Sequence, residues 1–247
     1  MEVPAYWIDE MQKPAQSRRA LKTMEEMIRQ YRNSPSVIIW SIGNECIRHS
    51  LTIPKSNLAY FIEAVDFVHD MDPSRLVAYT SGVEGIVSDA EDVLNLLYPK
   101  QLVEKLDVLA FNSFSGINEG ADPEEKDSFM DQYLKIRKLT TFSKPLILAE
   151  AGIDAVLGEQ GFDFGENRQV AYNEKLQTLL KDCMQDNSLQ GLCLFVLNDF
   201  RTPIKLGRYQ KGYNRKGLLT ENLEPKSAYY TVKKGYGSIT ALLPFNP

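Results

Sequence analysis

The sequence predicts an α/β fold, a parallel sheet with helices packed outside it. Short β-branched apolar runs alternate with amphipathic helical stretches along the chain. One run, SVIIWSI (Ser36–Ile42), is uninterrupted in apolar character, the pattern of a buried parallel strand. The length of 247 residues suits one α/β barrel of about 250 residues.

The elements follow in order. A helix is expected over Ser17–Arg32, with Ser17 as N-cap and Leu21, Met24, Ile28 and Tyr31 at helical spacing. Asn33-Ser34-Pro35 stops it, and Ser36–Ile42 is the next strand. Ser56–Met71 is a helix with Leu58, Phe61, Ile62, Val65 and Val68 on one face, ended by Asp72-Pro73. Leu76–Thr80 is a strand. Ser81–Tyr98 reads as a loop with a short helix near Ala90–Leu97. The strand Leu106–Phe111, the helix Pro123–Leu139 and the strand Pro145–Ala149 follow. A Gly-rich loop runs to Gly165, then come the helix Asn167–Asp186, the strand Gly191–Leu197, the loop Asn198–Gly217 and a helix over Pro225–Lys234. The tail, with two prolines after Leu242, reads as coil. Strand–helix units start at Ser36, Leu76, Leu106, Pro145 and Gly191, with the run Glu2–Tyr6 as the end of an earlier strand. A closed barrel needs eight. The expectation is therefore a (β/α)8 TIM barrel incomplete at its N-terminus, with a domain over residues 1–240 and a tail over 241–247.

Hydrophobic residues make up 43% and charged residues 25%, which excludes disordered, collagen-like and coiled-coil chains. The net charge of -5 lacks the basic excess of a nucleic-acid binder. The runs Val37–Trp40 and Leu192–Leu197 fall far short of the ~20 residues of a membrane span. Cys46, Cys183 and Cys193 form no closely spaced metal pair or disulfide framework, and His49 and His69 are too few for a histidine-rich metal site. The opening MEVPAYWIDE has no basic or apolar leader segment, so no secretory signal is visible and a cytoplasmic location is the default expectation.

Two glutamates stand directly after apolar strands. Glu45 closes SVIIWSIGNE and Glu150 closes KPLILAE. In an α/β barrel the carboxyl ends of strands face the active site. Retaining glycosidases place two such carboxylates about 5–5.5 Å apart, one as acid/base and one as nucleophile. The plainer alternative makes each a strand-end residue capping a helix. Gly43-Asn44-Glu45 favours the first reading: the glycine permits a tight backbone, Asn44 can bond a sugar hydroxyl, and Glu45 can reach a glycosidic oxygen.

RNSPSVIIWSIGNE (Arg32–Glu45) resembles the acid/base signature of glycoside hydrolase family 2, the family of β-galactosidases, β-glucuronidases and β-mannosidases. KPLILAEAGID (Lys144–Asp154) resembles its nucleophile segment and DVLAFNSFSG (Asp107–Gly116) an intervening strand. DFRTP (Asp199–Pro203) and NRKGLLTENLEPKSAYY (Asn214–Tyr230) resemble its closing strand and helix, and EVPAYW the end of its third barrel strand. The resemblance implies a (β/α)8 catalytic domain acting with retention and without a cofactor, with Glu45 as acid/base and Glu150 as nucleophile. It implies that Asn44 holds the sugar 2-hydroxyl, that Asn112 lines the sugar site, and that Phe195 stands where a platform tryptophan is usual. It also implies β-sandwich domains before the barrel.

Asn214-Arg215-Lys216 resembles the Asn-x-Lys motif with which β-glucuronidases hold the substrate carboxylate. An ammonium and an amide converging on a carboxylate make charge-assisted hydrogen bonds, whereas a neutral galactoside would leave Lys216 without its partner. The plainer alternative leaves Lys216 on a solvated loop. Three positions depart from the β-glucuronidase pattern: Ala151 after the nucleophile glutamate, Phe114 where a tyrosine supports the nucleophile, and Phe195 itself.

Trp40 reads as core. Trp7 reads equally as a sugar-stacking or a loop-packing residue. Cys46 reads as structural, His49 as a loop residue, Asp199 and Arg201 as a candidate pair, and Glu124–Asp127 as a solvated helix start. The expected function is retaining hydrolysis of a β-glucuronide, with a carbohydrate substrate and neither nucleic acid nor membrane as partner. The alternatives are a β-galactosidase and an inactive barrel fragment for binding or assembly. An open sheet edge would need covering by a second copy or by the missing domains.

Overall fold

A computed structural model describes residues 1–5, 14–46, 55–82, 97–114, 136–161 and 163–240. The expectations for Trp7, His49, the short helix near Ala90–Leu97, Glu124–Asp127, most of the helix from Pro123 and the tail 241–247 lie outside or largely outside these residues. The chain forms two compact units: Met1–Ser113 with Lys138–Ala149, and Phe114–Arg137 with Glu150–Pro247.

In the first unit α1 (Pro14–Tyr31) buries Ala20, Met24 and Ile28, one turn apart. Ser17 lies within α1, where its hydroxyl donates to Pro14 O, so it is not the N-cap. β1 spans Ile39–Asn44, starting later and ending later than the apolar run suggests. The run's first residues are held in a turn: Val37 N–H donates to Ser34 O, and Arg75 donates to both Ser34 O and Val37 O. α2 (Lys55–Met71) and β2 (Leu76–Gly82) follow.

A helix absent from the sequence expectation, α3 (Lys100–Lys105), buries Leu102 and Val103. It makes Leu106 its C-cap, so β3 begins at Val108 and runs to Asn112. After Thr140–Phe142, a 3-10 turn, β4 spans Leu146–Ala151.

β1, β2 and β3 are parallel neighbours, with Ile39 opposite Leu76 and Ala78 opposite Val108. β4 follows β3 through Leu109 N–H to Pro145 O. On the other side of β1, Glu2 forms a parallel bridge to Ser41, and Asn44 N–H donates to Ala5 O. One sheet face carries the small cluster Ala78, Val108 and Ala110 with Ile39, Ile147 and Ala149. The alternate side chains Trp40, Ile42, Val77, Tyr79, Leu109 and Phe111 are buried too, with Phe61 of α2 against Tyr79 at 4.6 Å between ring centroids. Burial on both faces is why these strands read as apolar runs.

The second unit contains the last residues of β4, then α4 (Glu166–Gln185), β5 (Gly191–Leu194), the short antiparallel pair β6 (Phe200–Arg201) and β7 (Tyr213–Asn214), and α5 (Ser227–Thr240). β5 stops at Leu194, before the end of its apolar run. The residues that follow turn to another partner: Val196 N–H donates to Lys216 O, Leu218 N–H to Val196 O and Asp199 N–H to Leu219 O. α5 packs Ala228 and Val232 against Leu218, Val170 and Leu194. Among the described residues no helix is long and apolar enough to cross a membrane.

Candidate active site

The tip of β1 is built on an irregularity. The register between β1 and β2 shifts between Ser41 and Asn44, a bulge of the kind that re-aims side chains at strand ends. A Cβ on Gly43 would lie 2.9 Å from Cys46 Sγ and 3.2 Å from Ala5 O, so the turn needs a glycine there. Cys46 is buried, and its thiol lies 3.0 Å from Ala5 O. Glu45 adopts a left-handed φ of 45°, unusual for a non-glycine residue, with its N–H on Thr80 O at 3.0 Å.

Asn112, fully buried at the end of β3, ties this tip together. Its Nδ2 donates to Asn44 Oδ1 at 2.9 Å and to Glu45 Oε1 at 2.8 Å. The first unit thus brings Asn44, Glu45 and Asn112 into one hydrogen-bonded cluster. Behind it, Glu2 accepts from the Ser41 and Thr80 hydroxyls, and burial of its carboxyl group raises its pKa.

The second unit gathers the other candidates. Glu150 stands one residue before the end of β4 and is half-buried. Phe195 follows β5, and its ring meets Phe114 and Phe200 edge-on at 5.9 and 6.0 Å. Lys216, 6% exposed, places Nζ 5.6 Å from the centre of the Phe114 ring. Asn214 is buried, and its Oδ1 accepts from Lys216 N–H at 3.1 Å. The solvated-loop alternative for Lys216 therefore fails.

Lys216 also has a protein partner, contrary to the expectation that a neutral sugar would strand it. Asp154 Oδ2 accepts from Lys216 Nζ, Lys205 Nζ and Gln210 Nε2, each at 3.2 Å, and Oδ1 accepts from Arg215 N–H at 3.0 Å. Burial pushes the Lys216 ammonium down to about 8; the Asp154 carboxylate opposes that shift and the Lys205 ammonium adds to it. Burial also pushes the Asp154 carboxyl up, but the two ammoniums outweigh it and hold the group below its ordinary range.

A second network fixes the backbone of the same loop. Lys226, with no exposed surface, donates to Ala155 O at 2.6 Å, Asp199 Oδ1 at 2.8 Å and Arg215 O at 3.0 Å. Asp199 also accepts from Arg215 Nη1 at 3.1 Å and from Gly217 N–H. Asp199 thus pairs with Arg215 and Lys226, and the expected pairing with Arg201 is corrected. Arg201 is exposed, its guanidinium 5.8 Å from the Tyr213 ring centre. β6 and β7 pair Arg201 with Tyr213, while the fold of the loop brings Arg215 to the buried carboxylate. Asp154, Lys205, Gln210, Asp199 and Lys226 did not emerge as site residues from the sequence. Asp154, Asp199 and Lys226 had an available signal, since they lie in the segments KPLILAEAGID, DFRTP and NRKGLLTENLEPKSAYY, whereas Lys205 and Gln210 lie outside every quoted segment.

The family model described as glycosyl hydrolases family 2, TIM barrel domain, matches residues 3–241. The chain belongs to this family. Its strand–helix order and the family match agree on the α/β class. It is similar to the β-glucuronidase of Sus scrofa, 26% identical over 87% of this chain and 31% of that protein. Among solved structures it resembles the β-glucuronidase of Ruminococcus gnavus in complex with a C6-substituted uronic isofagomine, with a TM-score of 0.75, 21% identity and coverage of 94% of this chain and 38% of that one. It also resembles the Bifidobacterium dentium β-glucuronidase complexed with coumarin-3-O-glucuronide, with a TM-score of 0.74, 22% identity and coverage of 92% and 35%. At these identities the structural likeness establishes the fold. The family 2 chain spans about a third of the length of the curated relatives it matches.

Proposed function

We propose that the protein carrying this chain is a retaining hydrolase of β-glucuronides, with residues 1–240 serving as its catalytic domain and 241–247 as a tail. The observation that carries the uronide reading is a buried lysine, Lys216, beside Asn214, in a chain similar to β-glucuronidases. Asp154 is one carboxylate against two ammoniums, Lys216 and Lys205, and the carboxylate of a glucuronide supplies the second anion.

On this reading Glu45 protonates the glycosidic oxygen while Glu150 attacks the anomeric carbon. The bond to the leaving group breaks as the glycosyl–carboxylate ester forms. Glu45, now ionised, takes a proton from water, and that water's oxygen displaces Glu150 to release the sugar with its configuration retained. Asn112 steadies the Glu45 carboxylate through its amide hydrogen bond. Asn44 bonds the sugar 2-hydroxyl, Phe195 offers a ring face to the sugar, and Asn214 and Lys216 take the carboxylate.

The test is a panel of aryl glycosides on the full-length protein. Glu45→Gln is expected to lower hydrolysis of an aryl β-glucuronide about 10²–10⁴-fold, and Glu150→Ala at least as much. Full activity in either variant refutes the assignment. A second reading, hydrolysis of a neutral β-galactoside, is favoured by one observation: Asp154 already partners Lys216, so a neutral sugar strands no charge. Lys216→Ala separates the two readings. It harms glucuronide turnover far more than galactoside turnover on the first, and both alike on the second.

A further inference from the structure

The arm between β6 and β7 is a built structure. Gly212 N–H donates to Lys205 O at 2.7 Å, and Thr202 N–H donates to Gly212 O at 2.9 Å. The Tyr209 ring stacks on Phe164 with centroids 5.1 Å apart. These anchors bring Lys205 and Gln210 to a cavity of about 200 Å³, whose walls also include Asp154, Asp163, Phe164 and Arg168. The cavity has room for the acidic end of a sugar.

The charge distribution at its edge is unbalanced. Asp154 Oδ2 accepts from two ammoniums and one amide, each at 3.2 Å, whereas a well-made ammonium–carboxylate bond is about 2.7–2.9 Å. One oxygen offers about two lone pairs, so three donors share too few sites. At Asp154 two ammoniums meet one carboxylate, and the two further charged residues of the cavity wall, Asp163 and Arg168, are of opposite sign and leave that excess of one positive charge unchanged. Lys205 keeps 22% of its side chain exposed, so it remains within reach of an incoming ligand, whereas Lys216 is nearly enclosed.

We propose that Lys205 is a second cationic residue of the sugar-carboxylate subsite, and that Asp154 is a resident stand-in from which the substrate carboxylate draws Lys205 and Lys216. The inference rests on the uronide reading above and adds to it a specificity residue outside the Asn214–Lys216 motif. A second carboxylate supplies the missing negative charge and gives each ammonium a lone pair of its own. It also relieves the repulsion by which the Lys205 ammonium lowers the proton affinity of Lys216.

The experiment is calorimetric titration of the full-length protein with D-glucuronate, and with D-glucose as the neutral control. Lys205→Met keeps the aliphatic stem and removes the charge. It is expected to weaken glucuronate binding about tenfold while leaving glucose unaffected, and Lys205→Arg is expected to recover most of the loss. Lys216→Met is run beside them. If Lys205→Met binds glucuronate as the wild type does while Lys216→Met does not, the role of Lys205 is overturned and the uronide reading stands. If the wild type binds glucuronate no better than glucose, both fall.

Discussion

On the proposed reading, substrate choice turns on Lys216, whose hold on its proton burial weakens. Its folded value is about 8 against an ordinary 10.5, through burial first and the Lys205 ammonium in addition. Below pH 8 the group is charged in the folded and unfolded chain alike. Between about 8 and 10.5 the unfolded chain holds the proton and the folded chain releases it, so this group's contribution to stability rises with pH while its attraction for an anion falls. KM for an aryl β-glucuronide is therefore expected to rise as pH passes about 8, and KM for the matching neutral glucoside to stay level. Lys216→Arg should move the rise to higher pH, because a guanidinium stays charged. A KM for the glucuronide that is flat to pH 10 would count against an anion at Lys216.

At the scale of elements, the start of β2 is locked to the segment before β1 by one buried carboxylate. Asp72, 2% exposed, accepts from Trp40 Nε1 at 3.0 Å, Ser74 Oγ at 2.6 Å and Arg75 Nη1 at 2.9 Å, while Arg75 also holds Ser34 O and Val37 O. Burial pushes Asp72 up, but the hydrogen bonds from Ser74, Trp40 and Arg75 outweigh it and hold the group at about 2 against an ordinary 3.8. A carboxyl lowered on folding stabilises the fold above its unfolded value and loses that contribution as pH falls through the folded one. The amount is on the order of 2 kcal/mol, lost between pH about 4 and 2. Asp72→Asn should accordingly be less stable than the wild type by on the order of 2 kcal/mol at pH 6, and the gap should narrow near pH 2. Urea melts at the two pH values check this, and an equal gap at both would show that the carboxylate's charge is not what matters.

At the scale of the whole molecule, the proposed acid/base and nucleophile come from different units. Glu45 belongs to the first, and Glu150 is the residue at which β4 passes into the second. The stereochemistry of azide rescue tests the two roles independently. With a substrate bearing an activated leaving group, Glu150→Ala should yield the α-glycosyl azide, since azide attacks once from the vacated face. Glu45→Ala should yield the β-glycosyl azide, since azide displaces Glu150 from the glycosyl–enzyme. The reverse products would exchange the two assignments.

Periodicity and apolar runs are local, so the order of β1–β5 and of the long helices among the described residues, and the placing of Glu45 and Glu150 at strand tips, could be read from the residues alone, whereas the short α3 and the two-residue strands β6 and β7 carry too few residues for a period to show. Trp40 could likewise be read as core. The boundaries that slipped did so where distant groups intervened: Arg75 holding Ser34 and Val37 delays β1, and the segment Lys216–Leu219 draws the residues after Leu194 away from β5. Charge pairing was the least legible feature. Asp199 has Arg201 two residues away in sequence, yet it bonds Arg215 and Lys226, and Asp154 takes Lys216 and Lys205. A chain with 28 basic and 33 acidic residues offers hundreds of possible pairs. Only packing decides which of them lose their water together, and a buried charge must take the partner that the fold brings within about 3 Å.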